Sequence, residues 1–267
     1  MIESEPYKAF CDGSKGAERG KILLLSALVH TVSAWDALTA DWETALAAPP
    51  SLDAFHMRKF RTGKWKAIDR DLKIISLTEV ILKHKPHVVS CWLSTDDYNA
   101  TVGRVAPVDI RHVFSLAFHA ILHTVAEYQL QRGITIPADF VFDEEGDIGN
   151  EALIWYPAVK ETAVPRVRAL MGATPVFRSD EEVLPLQAAD LVAWHKRRKK
   201  ETPGLDFETV ASQRVDDLPG GEREITKDAL VEMASKMSKV PNVELCREGP
   251  SLYKKLKHAF RTGKREI

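Results

Sequence analysis

The sequence predicts an α/β fold in which a mixed sheet begins with a β-hairpin and is covered by helices on both faces. Two apolar segments, Tyr7–Asp12 and Lys21–Thr31, are separated by a polar, glycine-containing stretch, which predicts an antiparallel hairpin. The second segment is continuously apolar over Ile22–Leu25, as is typical of a strand that is buried on both faces. Strand and helix patterns alternate afterwards, which favours a mixed sheet between helical layers.

The other strands are predicted from short apolar runs that are bounded by turn residues or acids. Pro86 introduces one such run, and the sequence Asp-Phe-Val-Phe-Asp ends another at Asp143. An edge strand is expected around Ala54–Phe60. In chain order, the predicted strands are Tyr7–Asp12, Lys21–Thr31, Ala54–Phe60, His87–Leu93, Asp139–Asp143 and Thr174–Arg178.

The helices are predicted from apolar side chains at helical spacing and from proline or glycine at the ends. The first stops before Pro49, and the longest stops before Gly133. Pro185 falls in the first turn of a later helix, where proline is tolerated. The predicted helices are Ser33–Ala48, Ala67–Lys83, Asp109–Arg132, Glu151–Leu170 (broken near its prolines), Glu182–Lys200, Thr226–Val240 and Ser251–Gly263. A loop with Pro219, Gly220 and Gly221 precedes the sixth of them.

Composition favours one globular domain over residues 1–267, with residues 241–267 as a C-terminal helical extension. The chain is 45% hydrophobic and 28% charged, which suffices for a sizeable core. Its three cysteines are scattered, which argues against a disulfide framework or a structural zinc site and fits a reducing cytoplasm. The longest apolar run is far shorter than the roughly 20 residues of a membrane span. We therefore expect a cytoplasmic protein with no membrane partner; the oligomeric state is left open.

Three aspartates occupy positions that suit a shared site. Asp12 and Asp143 end predicted strands, and strand ends open on the crevice where α/β proteins bind ligands. Asp190 is flanked by Ala189 and Leu191 on an apolar helix. Burying such a group costs several kcal/mol unless something pairs with it, and a divalent cation would be one partner. Carboxylate oxygens are ligands that Mg²⁺ accepts.

Each aspartate also has a structural interpretation, which the sequence leaves open. Asp12 precedes Gly13 and would initiate a turn by bonding to its own backbone. Asp143 begins an acidic run that would form a solvated loop. Asp190 would pair with an arginine from another helix, because structural ion pairs also hold buried acids.

The late helix carries the clearest family signal. Its segment Pro185–Ala193, with the sequence Pro-Leu-Gln-Ala-Ala-Asp-Leu-Val-Ala, resembles the C-terminal motif of the uncharacterised family called "domain of unknown function 3800". Phe10–Ser14 is similar to the opening of that family, where a strand ends in an aspartate before small residues. His56–Phe60 falls where the family often has a histidine-bearing strand, and Asp143 with Glu144 fits its middle acidic strand end.

This resemblance spans roughly residues 7 to 235 and implies a ribonuclease H-like fold with an aspartate-based metal site. The chain departs from the family at the opening turn. Gly13 stands where the family has an acid, and Lys15 stands where it has a glycine. The first change removes a carboxylate, and the second adds a positive charge.

A further carboxylate is expected on the helix that follows the third strand in this fold type. Glu79 lies on the apolar stripe of the predicted helix Ala67–Lys83 and would fill that role, unless it points along the helix flank to water. Asp96 and Asp97 follow the next strand and are rivals for the same position.

Basic residues cluster in runs, two of which supply candidate contacts to nucleic acid. Arg58 and Lys59 begin one, and Lys196 and Arg197 lie in another, which extends the helix of Asp190. Near an acidic metal site, such side chains would contact the phosphates of a nucleic-acid backbone. The alternative is a solvated helix face with cations near a helix C-terminus, which the helix dipole favours. The net charge of −1 excludes only a globally basic nucleic-acid-binding protein.

Two functions follow as hypotheses. The first is a metal-dependent nuclease-like hydrolase in which Asp12, Asp143 and Asp190 are catalytic and hold Mg²⁺ or Mn²⁺ for phosphodiester cleavage. Ser14 and Gln187 would orient those ligands. The alternative is a catalytically inactive ribonuclease H-like module that binds nucleic acid or a protein partner, which the altered opening turn favours.

Overall fold

The computed structural model describes residues 5–15, 21–63, 65–106, 112–144, 149, 153, 156–157, 159–161, 163–202 and 214–239. Within them the strands are β1 (Tyr7–Lys15), β2 (Ile22–Thr31), β3 (His87–Ser94), β4 (Ala138–Asp143), β5 (Val176–Arg178) and β6 (Gly220–Ile225). The helices are α1 (Val32–Ala47), α2 (Met57–Thr62), α3 (Ala67–His84), α4 (Thr95–Ala100), α5 (Val102–Val105), α6 (Val113–Gln131), α7 (Pro165–Arg168), α8 (Leu184–Glu201) and α9 (Lys227–Lys239).

The strands form a six-stranded mixed sheet in the order β5-β4-β1-β2-β3-β6. The first three strands are antiparallel neighbours, whereas β4 and β5 run parallel to β1 on one side and β6 runs parallel to β3 on the other. An antiparallel hairpin therefore opens the sheet, as predicted. The architecture is that of a ribonuclease H-like α/β fold, which confirms the predicted fold class.

Strand β1 is longer than predicted, and its extension places Asp12. The sequence predicted that the strand would end at Asp12, but β1 continues to Lys15 because it still pairs with β2, where Lys15 lies opposite Leu23. Its pairing with β4 stops earlier, at Cys11 opposite Phe142. Asp12 is thus the first residue of β1 beyond the last pair with β4.

Helices cover both faces of the sheet. Helix α6 packs against β2 and β3 on one face, whereas α8 packs against β1 and β2 on the other, with α1 beside α8 and α3 beside α1. Alternate residues of β1 serve the two layers: Cys11 belongs to the core under α6, and Phe10 belongs to the core under α8. The continuous apolar run of β2 is buried, as expected for a strand with two covered faces.

Two further sequence predictions are wrong, one outside the sheet and one at its edge. The expected edge strand Ala54–Phe60 is instead a loop that leads into α2, whose buried Met57 and Phe60 are three residues apart on one helical face. The loop predicted around Gly220 is strand β6. A Cβ atom at Gly220 would lie 1.8 Å from the carbonyl oxygen of Val88, so the glycine permits β6 to approach β3.

The long helices agree with the sequence within a few residues, and Pro185 lies in the first turn of α8 as predicted. Six residues of the predicted helix Glu151–Leu170 lie outside the described residues; the described ones are helical at 153, 156–157 and 159–161, and again in α7. The helix predicted at Ser251–Gly263 and the extension 241–267 also lie outside them. In the described part of the chain, no helix combines the length and the apolarity that crossing a membrane requires.

Candidate functional site

Carboxylates from separate elements meet at the C-terminal edge of the sheet. Strands β1, β4 and β5 are parallel, so all three end at this edge. Asp143 is the last residue of β4 and lies opposite Arg178, the last residue of β5, and Asp180 follows two residues later. Side-chain alternation directs Asp12 and Asp143 toward the helix layer of α8, because Phe10 and Val141, two residues earlier on each strand, pack there.

Asp12 is buried and held by a local bond. Its side chain is 6% exposed, and its Oδ1 atom accepts a hydrogen bond from the backbone N–H of Gly13 at 2.6 Å. The structural interpretation predicted such a bond to the neighbouring backbone, although Gly13 lies within β1 and not in a turn. Cys11, beside it, has its thiol pKa raised well above the usual value, first by burial and then by the charges of Cys91 and Asp12.

Asp190 lies on the buried face of α8 and joins this helix to the segment before α2. Its Oδ2 atom accepts a hydrogen bond from the backbone N–H of Met57 at 2.5 Å. The same atom lies 3.1 Å from Nδ1 of His56, and that nitrogen lies 3.5 Å from Oδ2 of Asp180. His56 therefore stands between two carboxylates, and we call His56, Asp143, Asp180 and Asp190 the acidic cluster.

The pKa values of the acidic cluster show that its negative charge is only partly compensated. The pKa of Asp143 is raised to about 6, first by burial and then by the charges of Asp180 and Asp190, while a backbone hydrogen bond from Glu144 and the charge of His56 oppose the shift. The pKa of Asp180 is also raised, first by burial and then by Asp190. The contact with Asp190 raises the pKa of His56 against the opposing effect of burial. The site thus favours a protonated imidazole and resists a full set of ionised acids.

Gln187 holds the backbone that carries two members of the acidic cluster. It is fully buried one turn before Asp190. Its Oε1 atom accepts from Nε1 of Trp42 at 2.9 Å and from the backbone N–H of Phe55 at 3.1 Å, and its Nε2 atom donates to the carbonyl oxygen of Asp180 at 2.8 Å. The amide thereby holds the backbone at Asp180 and at Phe55, the residue before His56.

The four basic residues named from the sequence are divided between two places. Arg58 and Lys59 are exposed on α2, directly after His56, and Lys59 lies 3.3 Å from Glu181. Lys196 and Arg197 lie at the other end of α8. The Lys196 side chain is only 14% exposed and lies 3.7 Å from Glu222 on β6, and the buried Arg197 pairs with a glutamate one turn along the helix.

The other named residues lie away from the acidic cluster or beyond description. Glu79 is half-exposed on α3 and pairs with Arg214. Asp96 and Asp97 are in the first turn of α4, where the N–H of Asp97 bonds to the Ser94 side chain. Ser14 belongs to β1, but its side chain is not among those described.

The donor set suits a divalent cation in kind but is not arranged as a metal site. Carboxylate oxygens are the ligands that Mg²⁺ and Mn²⁺ accept. In the part of the chain that the structure describes, however, no three or more His, Cys, Asp or Glu side chains are grouped so that they could hold a metal ion. One oxygen of Asp190 already accepts a backbone N–H. The described side chains therefore do not form a metal site as they stand, and the Mg²⁺ or Mn²⁺ expected from the sequence stays a prediction.

Sequence reasoning named Asp143 and Asp190 but missed His56 and Asp180 as site residues. His56 entered only through the family resemblance, and its position depends on contacts with a helix far along the chain. Asp180 had a usable signal, since it follows a short extended segment at the same sheet edge as Asp143. The rule that strand ends gather ligands at one edge would have included it.

No family model matches the chain, and the search of curated proteins found no match. The resemblance to the domain of unknown function 3800 therefore stays a prediction from its motifs.

Proposed function

We propose that this protein is a hydrolase that cleaves phosphodiester bonds at the acidic cluster, with Asp12 as a neighbouring buried carboxylate. The observation that carries the proposal is the mutual influence of three acids from separate elements, Asp143, Asp180 and Asp190, around one imidazole. Such a concentration of partly compensated charge at a sheet edge destabilises the fold, and perturbed acids of this kind gather at functional sites.

The chain's own groups would move protons in such a reaction. Asp143, with a pKa of about 6, would be largely ionised at neutral pH and would accept a proton from an attacking water. His56, whose pKa the contact with Asp190 raises, would in its protonated form donate a proton to the departing oxygen or stabilise charge on the phosphoryl group. Asp190 would orient the imidazole, as its contacts with His56 and Met57 suggest.

Participation of Mg²⁺ or Mn²⁺ is a separate part of the proposal. A divalent ion would relieve repulsion between the acids and the phosphodiester, but the described side chains do not form a ready group for it. Calorimetric titration of the protein with MnCl₂ tests this part alone. Heat that is lost in Asp143→Asn supports a metal at the acidic cluster, and absence of binding at millimolar Mn²⁺ removes the metal from the proposal.

The enzyme proposal is tested with Asp143→Asn, which preserves the shape of the side chain. Labelled single-stranded and duplex DNA and RNA are incubated with Mg²⁺, Mn²⁺ or a chelator between pH 5 and 9. We expect the variant to lose about 100-fold or more of the cleavage rate, the usual scale for a general base. The wild-type rate should rise with pH around 6, as Asp143 ionises. Asp53→Asn, an exposed carboxylate on a loop, is the control; equal rates in the wild type and Asp143→Asn would end the proposal.

The second candidate is a catalytically inactive module of the same fold that binds nucleic acid or a protein partner. Two contacts favour it: Asp190 is engaged with His56 and Met57, and Asp12 is engaged with Gly13. Such a module would bind oligonucleotides, or a protein, with no cleavage under any of the metal conditions. Cleavage that depends on Asp143 would exclude it.

A further inference from the structure

A pocket of about 190 Å³ lies beside the acidic cluster, between the loop before α2 and the segment before α8. Leu52, Phe60 and Trp65 form the apolar and aromatic part of its lining, which we call the aromatic wall. His56, Lys59 and Asp180 belong to its polar part, which we call the polar wall. We call the pocket as a whole the α2 pocket. Because His56 and Asp180 belong to both, any group held in the α2 pocket is adjacent to the proposed catalytic atoms.

We propose that the α2 pocket binds one unstacked nucleobase that carries an exocyclic amino group, and that the substrate is therefore a single-stranded nucleic acid. The inference rests on the proposed function for the phosphodiester itself and adds the class of substrate and the residues that select it. Trp65, against which the buried Phe60 ring packs, supplies the stacking surface, and the carboxylate of Asp180 supplies the hydrogen-bond acceptor.

The size and the aromatic wall suit a single planar ring system. Pockets that enclose drug-sized ligands usually measure about 300–1,000 Å³, so this smaller one suits one base and not a whole dinucleotide. The Trp65 ring is partly buried, lies 5.4 Å from the Phe60 ring between centroids, and has its edge against Gly63, where a Cβ atom would come within 2.9 Å of it. The ring is thus held in place by its neighbours, as a stacking platform requires.

The charges around the α2 pocket favour a neutral base over a cationic side chain. An aromatic wall beside acids would also suit an arginine or lysine of a peptide. However, Lys59 lies 3.3 Å from Glu181, and Nδ1 of His56 lies 3.5 Å from Asp180, so both acids in the pocket lining already have a basic neighbour. Asp143 and Asp190, the other acids of the acidic cluster, are not part of that lining. A neutral ring with a hydrogen-bond donor needs no further charge compensation.

The acceptor on the polar wall sets a preference among bases. A carboxylate accepts well from the amino group of cytosine, and adenine and guanine present amino donors as well. Thymine has no amino group, and its one N3–H lies between two carbonyl oxygens, which a carboxylate repels. Only an unstacked base reaches a pocket of this kind, and a regular duplex keeps its bases stacked. The α2 pocket therefore predicts that single strands of cytosine, adenine or guanine are preferred over single strands of thymine.

Fluorescence anisotropy of the full-length protein with labelled dC, dA and dT 12-mers tests the inference. We expect Trp65→Ala to weaken binding of the dC 12-mer by about 10-fold or more, which corresponds to the loss of stacking with one base, while Trp65→Phe retains most of it. Trp92→Ala is the matched control, because Trp92 lies on β3 against Lys200 at the other end of α8. Circular dichroism and thermal unfolding establish that each variant is folded.

Asp180→Asn tests the polar wall independently of the ring. Its amide both donates and accepts, so the preference for the dC and dA 12-mers over the dT 12-mer should shrink toward equality. Three outcomes would each overturn the inference. The wild type could bind the dC and dT 12-mers equally well, it could bind a duplex as tightly as the dC 12-mer, or the Trp65→Ala variant could bind as the wild type does. Displacement of the dC 12-mer by an arginine-rich peptide from the wild type, but not from Trp65→Ala, would overturn it as well.

Failure here and failure of the proposed function give different results. If cleavage requires Asp143 but binding is indifferent to Trp65, only the α2 pocket is wrong. If no nucleic acid is cleaved but binding of the dC 12-mer still depends on Trp65 and not on Asp143, the pocket stands and the enzyme proposal falls.

Discussion

Many charged groups lie at both ends of helix α8, but they are paired with opposite charges at one end and only partly paired at the other. At the end toward Asp190, the carboxylates of the acidic cluster share one imidazole, and the pKa values of Asp143 and Asp180 are raised. At the other end, Lys196 and Lys200 both approach Glu222, Arg197 pairs with Glu201, and Lys199 pairs with Asp216.

This difference separates a structural use of charge from a functional one. Cations at the C-terminal end of a helix are favoured by the helix dipole, and here most of them also have an acidic partner. They need no ligand to explain them. The acidic cluster carries an excess of one sign that the protein tolerates at a cost, and this cost is the physical argument for a function there. The predictions below test the contrast from its largest expected effect to its smallest.

The largest change in the free energy of unfolding is expected at the C-terminal end of α8, around Arg197 and Lys199. We call it the compensated end, because its cations have acidic partners. Arg197→Met should lower the free energy of unfolding by about 3 kcal/mol, because it leaves the largely buried Glu201 without its cation. Urea denaturation measures the change. The double variant with Glu201→Met should recover most of the loss, since two apolar groups replace the pair. Arg104→Met, on an exposed position of α5, should change stability by less than about 0.5 kcal/mol. A loss under about 1 kcal/mol in Arg197→Met would mean that water screens this pair.

At the acidic cluster, a substitution is expected to raise the free energy of unfolding instead of lowering it. Asp143→Asn should raise the free energy of unfolding at pH 7.5 by about 1–2 kcal/mol, a reduced value because Asp143 is only partly buried. Native Asp143 binds its proton more tightly than the unfolded chain does, so its ionisation destabilises the fold as pH rises from about 4 to about 6. The gain should therefore vanish near pH 4. Asp53→Asn is the control, and a variant less stable than the wild type at pH 7.5 would show that the carboxylate is compensated after all.

The sequence predicted the main elements of the fold because their signals are local. The apolar runs of β2 and β3 and the helical spacing in α3 and α6 depend only on neighbouring residues. Strand β6 lacks such a signal. It begins with two glycines and continues with Glu222, Arg223 and Glu224, and it is a strand because it pairs with β3 at the edge of the sheet. Pairing of this kind produces no apolar periodicity in the sequence from which a strand could be predicted.

The residues of the candidate site also fall into two groups, those with a local sequence signal and those without one. Asp143 and Asp190 were found because an acid at a strand end and an acid on an apolar helix are both visible in a short window. The segment of His56 was predicted to be a strand, and it is not one because side chains of α8 satisfy its backbone: Gln187 accepts from Phe55 and Asp190 from Met57, across 132 and 133 residues of sequence. These contacts override local strand propensity.

A smaller effect should separate two histidines by the direction of their pH dependence. Because Asp190 raises the pKa of His56, the stabilising contact is present below pH 6.5 and is lost as pH rises through the pKa of the folded state. His56→Gln should cost up to about 1 kcal/mol at pH 5.5 and less at pH 9, as measured by urea denaturation.

His123 on α6 provides the matched contrast. Burial lowers its pKa, so protonation destabilises the native state and the imidazole carries a penalty at low pH. Compared with the wild type at the same pH, His123→Gln should therefore be more stable at pH 5.5 than at pH 9. His56→Gln should show the opposite dependence. Parallel trends in the two variants would indicate that the contact with Asp190 does not hold a proton on His56.

The smallest effect distinguishes two exposed lysines that have similar surroundings. Lys59, beside the acidic cluster, and Lys199, at the compensated end, have side chains that are 71% and 69% exposed, and each has one acidic partner. Lys59→Met and Lys199→Met should each change the free energy of unfolding by about 0.5 kcal/mol or less, because exposed ion pairs contribute little. If Lys59 contacts a phosphate, its variant alone should reduce the slope of log affinity against log salt concentration by about 0.7–1 for a labelled single strand. A reduction in Lys199→Met without one in Lys59→Met would place the phosphate-binding surface at the C-terminal end of α8 and would contradict substrate binding at the acidic cluster.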